Sequence, residues 1–222
     1  MNLSAIRNHV RTLTGIASTD LLSNADLNIF INEAYLEICR ESDWPFLRNE
    51  TTITLVGGTA QYALPAGVAE NAIASVVVLS NDTNRRQLHP RSRYSTDDSP
   101  GPLSTGNPME YDCWKGYISF FPVPEVAEVV TIRYFIDAPE LSLDADTPLF
   151  ENKFHTIIAY GASLRVLVRE GDDTERRKFY FEQFMNGLNQ MKNDLLQERD
   201  RSLLRLGGRR KIIGRRHNYY GV

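Results

Sequence analysis

Cysteine is scarce in this chain: Cys39 and Cys113 are the only two among 222 residues. They lie far apart, form no CxxC pair and have no histidine at zinc spacing. That excludes a disulfide framework and a zinc site. Two reduced thiols in a cytosolic protein are expected instead. Long apolar runs are missing as well. No stretch approaches the roughly 18 apolar residues of a membrane span, and residues 1–14 hold no apolar core of signal-peptide length. No membrane partner is expected.

Catalytic signatures are equally sparse. The four histidines, His9, His89, His155 and His217, fit no metal spacing, and no HExxH, GxSxG, GxxxxGK[ST] or GxGxxG occurs. Gly57-Gly58 reads as a turn. The acids Asp137, Glu140, Asp144 and Asp146 lack the calcium-loop pattern of ligands and turn glycine, and read as a solvated loop before a helix. No pair of carboxylates sits where its pKa values would be driven apart. The reading is therefore not an enzyme, with no cofactor and no metal.

What the chain does have is a divided charge. The formal net charge is −3. From residue 199 to the end there are eight basic residues and one acid, a balance of +7. The remaining 17 basic and 27 acidic residues give −10. An acidic body with a basic tail points to an anionic partner for the tail.

Residues 147–201 organise the chain. They read as a helical hairpin: one helix over about 150–170, a break at Gly171-Asp172-Asp173-Thr174, and a longer helix to about 201. Phe154, Ile157, Gly161, Leu164 and Val168 form one stripe; Phe181, Phe184, Leu188, Met191 and Leu195 form the other. Small residues at Ala159, Gly161, Ala162 and Ser163 would let a partner helix approach closely. Near the start, Leu3, Ile6, Val10 and Leu13 mark a short helix. Ser23 and Asp26 resemble a capping box that opens a second helix to about residue 41, its face made by Leu27, Phe30, Ile31, Ala34, Tyr35 and Ile38. Trp44 and Phe46 anchor its exit around Pro45.

From Thr51 the period changes to two. Residues 51–56 and 61–65 read as a hairpin about Gly57-Gly58. Further strands are expected at 73–79, 108–111, 117–121 and 129–136. The polar stretch 81–107, with Arg85, Arg86, Arg91 and Arg93, reads as a long loop. Two helices, about six strands, two helices and a tail define an α+β fold: a bundle of about four helices with an inserted antiparallel β region. The expected divisions are 1–48 with 147–206 for the bundle, 49–146 for the β region, and 207–222 for an extended C-terminal arm.

The arm alternates charge with apolar and aromatic residues: Arg209, Arg210, Lys211, Ile212, Ile213, Arg215, Arg216, Tyr219 and Tyr220. It cannot bury enough surface to fold alone. Its arginines suit phosphates, while Ile212-Ile213 and Tyr219-Tyr220 favour a protein groove or an added strand.

The order of elements resembles the head-to-tail adaptor (neck or connector) proteins of tailed bacteriophages. The matching pieces are the helix 27–41 followed by Asp43-Trp44-Pro45-Phe46-Leu47; Tyr62-x-Leu64-Pro65; Pro108-x-x-Tyr111; Ile118-x-Phe120-x-Pro122-x-Pro124; Val130-x-Ile132-x-Tyr134; and Asp146-Thr147-Pro148 entering the hairpin. The resemblance implies a structural virion protein, assembled in the host cytoplasm and placed in the neck. It implies a ring, generally of twelve copies, that docks on the portal through the C-terminal arms. A downstream neck or tail protein would bind below, and double-stranded DNA would pass through the bore. The nine arm residues named above are the expected portal contacts. The rival reading is a DNA-binding protein that uses the basic tail.

Overall fold

The structure, a computed structural model, describes residues 1–19, 21–80, 84–91, 104–171 and 174–206. The chain divides into two units, Met1–Ser4 with Asn32–Glu151, and Ala5–Ile31 with Asn152–Val222. Four helices are present among the described residues: α1 Leu3–Thr14, α2 Asn24–Arg40, α3 His155–Glu170 and α4 Thr174–Leu206. With them are nine strands, β1 Arg48–Thr54, β2 Gln61–Ala63, β3 Ile73–Ser80, β4 Asn84–Pro90, β5 Thr105–Gly106, β6 Glu110–Trp114, β7 Tyr117–Phe121, β8 Val123–Pro124 and β9 Val129–Phe135. The α+β class is the one expected.

The first unit is built on a seven-stranded sheet of order β1-β9-β3-β4-β6-β7-β2, beside a short β5-β8 pair. Alternation drives it. In β9 Val130, Ile132 and Tyr134 turn to the core, while Arg133 faces water. Leu55, Val76, Val78, Leu88, Ile118, Phe120, Val130 and Ile132 make one apolar cluster. A two-residue turn, Lys115-Gly116, joins β6 to β7 with φ of 49° and 79°. Such a turn requires positive φ at both positions.

Three expectations need correction here. The hairpin over 51–56 and 61–65 does not form: β1 pairs with β9 and β2 with β7. The loop between them docks elsewhere. Gly58 N–H donates to Pro124 O at 2.8 Å. A Cβ on Gly57 would come within 2.5 Å of Glu125 O, so only glycine allows that approach. Period-two patterning reveals a strand but not its partner.

The polar stretch 81–107 is not all loop. Residues 84–90 form β4, which pairs with β3 from Val76↔Leu88 to Ser80↔Asn84. Leu88 is the one apolar residue there and it is buried, so no alternation betrays the strand. Arg86 reaches Glu128 at 3.1 Å. Arg91 sits 5.0 Å over the Phe121 ring and 3.7 Å from Glu110. Residues 81–83 and 92–103, Arg93 among them, lie outside the described residues.

Nor is the sheet wholly antiparallel. β4 and β6 run parallel through His89↔Glu110 and Pro90↔Tyr111, as do β5 and β8. Parallel neighbours need a crossover of a dozen or more residues. The length of the polar stretch supplies it.

The rest of this unit closes around Trp44. Its ring is wholly buried, its Nε1–H donates to Ile38 O at 2.6 Å, and Phe46 stacks on it at 5.8 Å. Phe46 in turn meets Phe150, which meets Tyr35. The Asn32 amide exchanges two hydrogen bonds with Leu141, of 3.0 and 2.8 Å. Asp146 accepts from Ser142 N–H and Leu143 N–H, both at 2.7 Å. This carboxylate shapes its own loop, and Asp146 O takes the Leu3 N–H at 2.8 Å, satisfying an otherwise orphan donor at the start of α1.

In the second unit, Ile6, Val10, Leu27 and Ile31 are buried, with Asp26 N–H capped by Ser23 Oγ at 3.1 Å. The Asp26 carboxylate accepts from Ser23 in return, as a capping box requires, and also pairs with Arg169 at 3.0 Å. The carbonyls at the end of α1 are taken up by α4. Arg176 donates to Leu13 O and Thr14 O at 3.2 Å each, and Tyr180 Oη–H to Leu13 O at 2.7 Å.

α3 begins at His155, after a short 3-10 turn over Asn152–Phe154, and ends at Gly171 with φ 68°. Most of its sides are buried, including Ile158, Ala159, Ala162, Val166 and Leu167. Val168, placed on the expected stripe, is 57% exposed. On α4 the buried line is Tyr180, Phe184, Leu188 and Met191, while Phe181 is 51% exposed. Both shifts follow from packing on more than one neighbour, which a one-sided stripe does not anticipate.

α3 and α4 pack tightly at Gly187. A Cβ there would come within 2.7 Å of Ile157 Cγ1. Gly187→Ala would gain about 1 kcal/mol of helix propensity, but overpacking costs about 1–3 kcal/mol. The expected outcome is a net loss of up to about 2 kcal/mol, largely recovered in a Gly187→Ala/Ile157→Ala cycle as a favourable coupling term. Urea titration of the four proteins checks it, and simple additivity would show that the contact is not limiting.

Candidate interaction surfaces

The nine expected contact residues, Arg209, Arg210, Lys211, Ile212, Ile213, Arg215, Arg216, Tyr219 and Tyr220, all lie outside the described residues. What the structure positions is their root. α4 runs for 33 residues to Leu206, a rod of about 50 Å. The first residue of the arm follows that end directly.

Two groups of exposed apolar side chains stand out among the described residues. On the helical unit, Phe179, Phe181 and Met185 of α4 face solvent. On the sheet unit, Trp114 and Tyr117 are each 46% exposed and form the pair that flanks the Lys115-Gly116 turn. The turn is held from behind, since Gly116 N–H donates to the Glu70 carboxylate at 2.5 Å. Lys115 Nζ lies 5.9 Å from the Trp114 ring centre. Large aromatics on a rigid tip are the residue types that dominate binding energy at protein interfaces. The sequence signal for them, Trp-Lys-Gly-Tyr between two alternating runs, is present, but their exposure depends on the sheet around them.

A groove of about 250 Å³ lies along α3 and α4. Lys153, Thr156, Tyr160, Gln183, Asn186 and Gln190 line it around Gly187. Its polar groups are amides and hydroxyls, with Lys153 held 3.6 Å from Asp194.

The titratable groups carry structural tasks. Hydrogen bonds from Arg169 and Ser23 hold the Asp26 carboxyl below its usual range. A carboxyl whose folded pKa lies below its unfolded one stabilises at neutral pH, and that help is lost as pH falls through the folded value. Burial pushes the Cys39 thiol up to about 12. It does the same to Cys113, with Asp112 and Glu70 adding to the shift. Neither thiol is poised as a nucleophile at neutral pH. Among the described residues no group of three His, Cys, Asp or Glu side chains could hold a metal ion, and no helix is long and apolar enough to cross a membrane.

Exposed apolar residues on a helix and an aromatic turn are features of surfaces that bind other chains. The comparison with protein families agrees. The family model described as SU10 adaptor protein matches residues 1–210, and the chain belongs to that family, a phage head-to-tail adaptor family. Its role is structural, at the head–tail junction of the virion. No curated protein matches the chain.

Proposed function

We propose that this chain is the adaptor that docks on the portal as a ring of twelve copies, extends the DNA channel and joins the capsid to the tail. The observation that carries this reading is the family match over residues 1–210. Residues 1–48 and 147–206 act as a helical bundle, 49–146 as an inserted β region, and 207–222 as the arm that contacts the portal. The downstream partner is a neck or tail protein, and double-stranded DNA passes through the bore.

The physical chemistry supports the assignment. A ring of identical subunits needs two different complementary faces on each protomer, and a body of −10 with a terminal segment of +7 supplies opposite charges. Arginines at 209, 210, 215 and 216 suit bidentate pairing with portal carboxylates. Ile212, Ile213, Tyr219 and Tyr220 suit apolar sites or an added strand. Twelve arms on one ring raise avidity through effective concentration.

The test is electron microscopy of the purified protein mixed with the portal of its own virus. A second twelve-fold ring stacked on the portal is the expected image. Bare portals at saturating protein would overturn the assignment.

A further inference from the structure

α3 is the middle helix of the second unit. Tyr160 stacks on Tyr180 of α4, with ring centres 6.1 Å apart. Arg169 reaches Asp26 of α2 at 3.0 Å and Leu21 O at 3.1 Å. Tyr160 and Arg169 stand about two and a half turns apart, so they leave α3 on opposite sides. α2 and α4 therefore flank it, and each carries exposed apolar side chains.

On α4, Lys178, Phe181, Met185 and Lys192 follow one another at spacings of three, four and seven, which puts them on one face. Phe181 is more than half exposed and Met185 just over a third. On α2, Ala25, Ile29, Glu33 and Glu37 recur one turn at a time, and all four are exposed. Ile29 is more than half exposed, as is Leu21 just ahead of the helix.

Charge decides what fits these faces. Glu182 stands at the margin of the α4 face, which its two lysines leave positive. Arg40 ends the α2 face, which its two glutamates leave negative. Either face set against its own copy would bring like charges together, which costs affinity. Set against each other, apolar meets apolar and lysine meets glutamate. Two unlike, complementary faces on opposite flanks of one unit are what a closed ring of identical chains requires. A second copy of this chain covers both faces, whereas a foreign protein on either one leaves the other bare.

We infer that α4 of one copy packs on α2 of the next. Phe181 and Met185 sit against Ala25 and Ile29, and the lysines of α4 turn to Glu33 and Glu37. The inference deepens the ring in the adaptor reading and rests on it.

The test uses the full chain bound to the portal of its own virus. Ile29→Cys and Met185→Cys are made singly and together and treated with a short bis-maleimide. Cys39 is buried and Cys113 half-buried, and the unsubstituted chain gives the blank. The double variant should give a ladder from dimer upward. The two single variants mixed should give dimers only, and neither alone should crosslink above the blank. Phe181→Glu, at an exposed site, should lower occupancy of the portal by about tenfold; the crosslinks decide the matter even if that variant fails to fold. Rings on the portal, seen by electron microscopy, that give no ladder overturn the inference and leave the ring reading standing. So does a dimer from either single variant alone, which shows a face meeting its own copy. Bare portals beside a monomeric chain overturn the ring reading, and this inference with it.

Discussion

Deletion of residues 207–222 is expected to abolish portal binding, by about 100-fold or more per copy, while the melting curve stays that of the full chain. The truncation falls just after Leu206, the last residue of α4, so every described element is kept. It removes five of the arm's charged residues from the 209–216 segment, together with both apolar pairs. Charge-assisted bonds to arginine contribute roughly 1.5–3 kcal/mol each when well formed, against the ordering cost of an arm that does not fold alone. Loss of two such bonds is enough for the stated effect. A portal pull-down with both proteins measures it, and unchanged recovery of portal by the truncated chain would refute the arm's role. The same pair of proteins separates the DNA-binding reading. Phosphate-driven affinity weakens steeply with salt, so a gel shift at two salt concentrations that is lost on truncation would favour DNA.

Trp44→Ala should be the most damaging single substitution in the sheet unit, costing about 3–5 kcal/mol. The indole is wholly buried and stacked against Phe46 at an interplanar angle of 15°. Its removal leaves a cavity at the exit of α2 and strands the Ile38 carbonyl that it caps at 2.6 Å. Trp44→Phe divides these contributions: it keeps much of the volume but not the donor, so its cost should be about 1–3 kcal/mol. Denaturant unfolding of the three proteins gives the comparison. A loss under about 1 kcal/mol for the alanine variant would show that the site collapses without penalty.

Much of this fold can be read before any coordinates are seen. The 3.6-residue spacing of Leu27, Ile31, Ala34 and Ile38 marks α2, and all four are buried. Ser23 announces the cap, and Gly171 the helix end. β4 escapes because Asn84–Pro90 holds one apolar residue, and its place in the sheet is set by pairing with β3 and β6. Gly187 escapes for a related reason. A glycine inside a helix looks like a weak point until Ile157 is seen against it. The arm residues were legible as a basic, amphiphilic segment, and the reading of them rests wholly on composition. That β1 and β2 are the edges of the sheet was not legible at all, since an edge is defined by the strand that is missing beside it.

Residue by residue, then, the chain itself determines the helices and most of the strands, where the main turns fall, the α+β class, and the charge contrast between body and arm. These depend on periodicity, capping and turn chemistry, which act over a few residues. Tertiary structure alone decided that β1 pairs with β9 rather than β2, that the polar stretch carries a parallel crossover, that α3 is buried on most of its sides, and that β1 and β2 are the edges of the sheet. Each is a choice among distant partners with similar local patterns. Such choices are settled by the combined packing of side chains far apart in sequence, which local spacing does not encode.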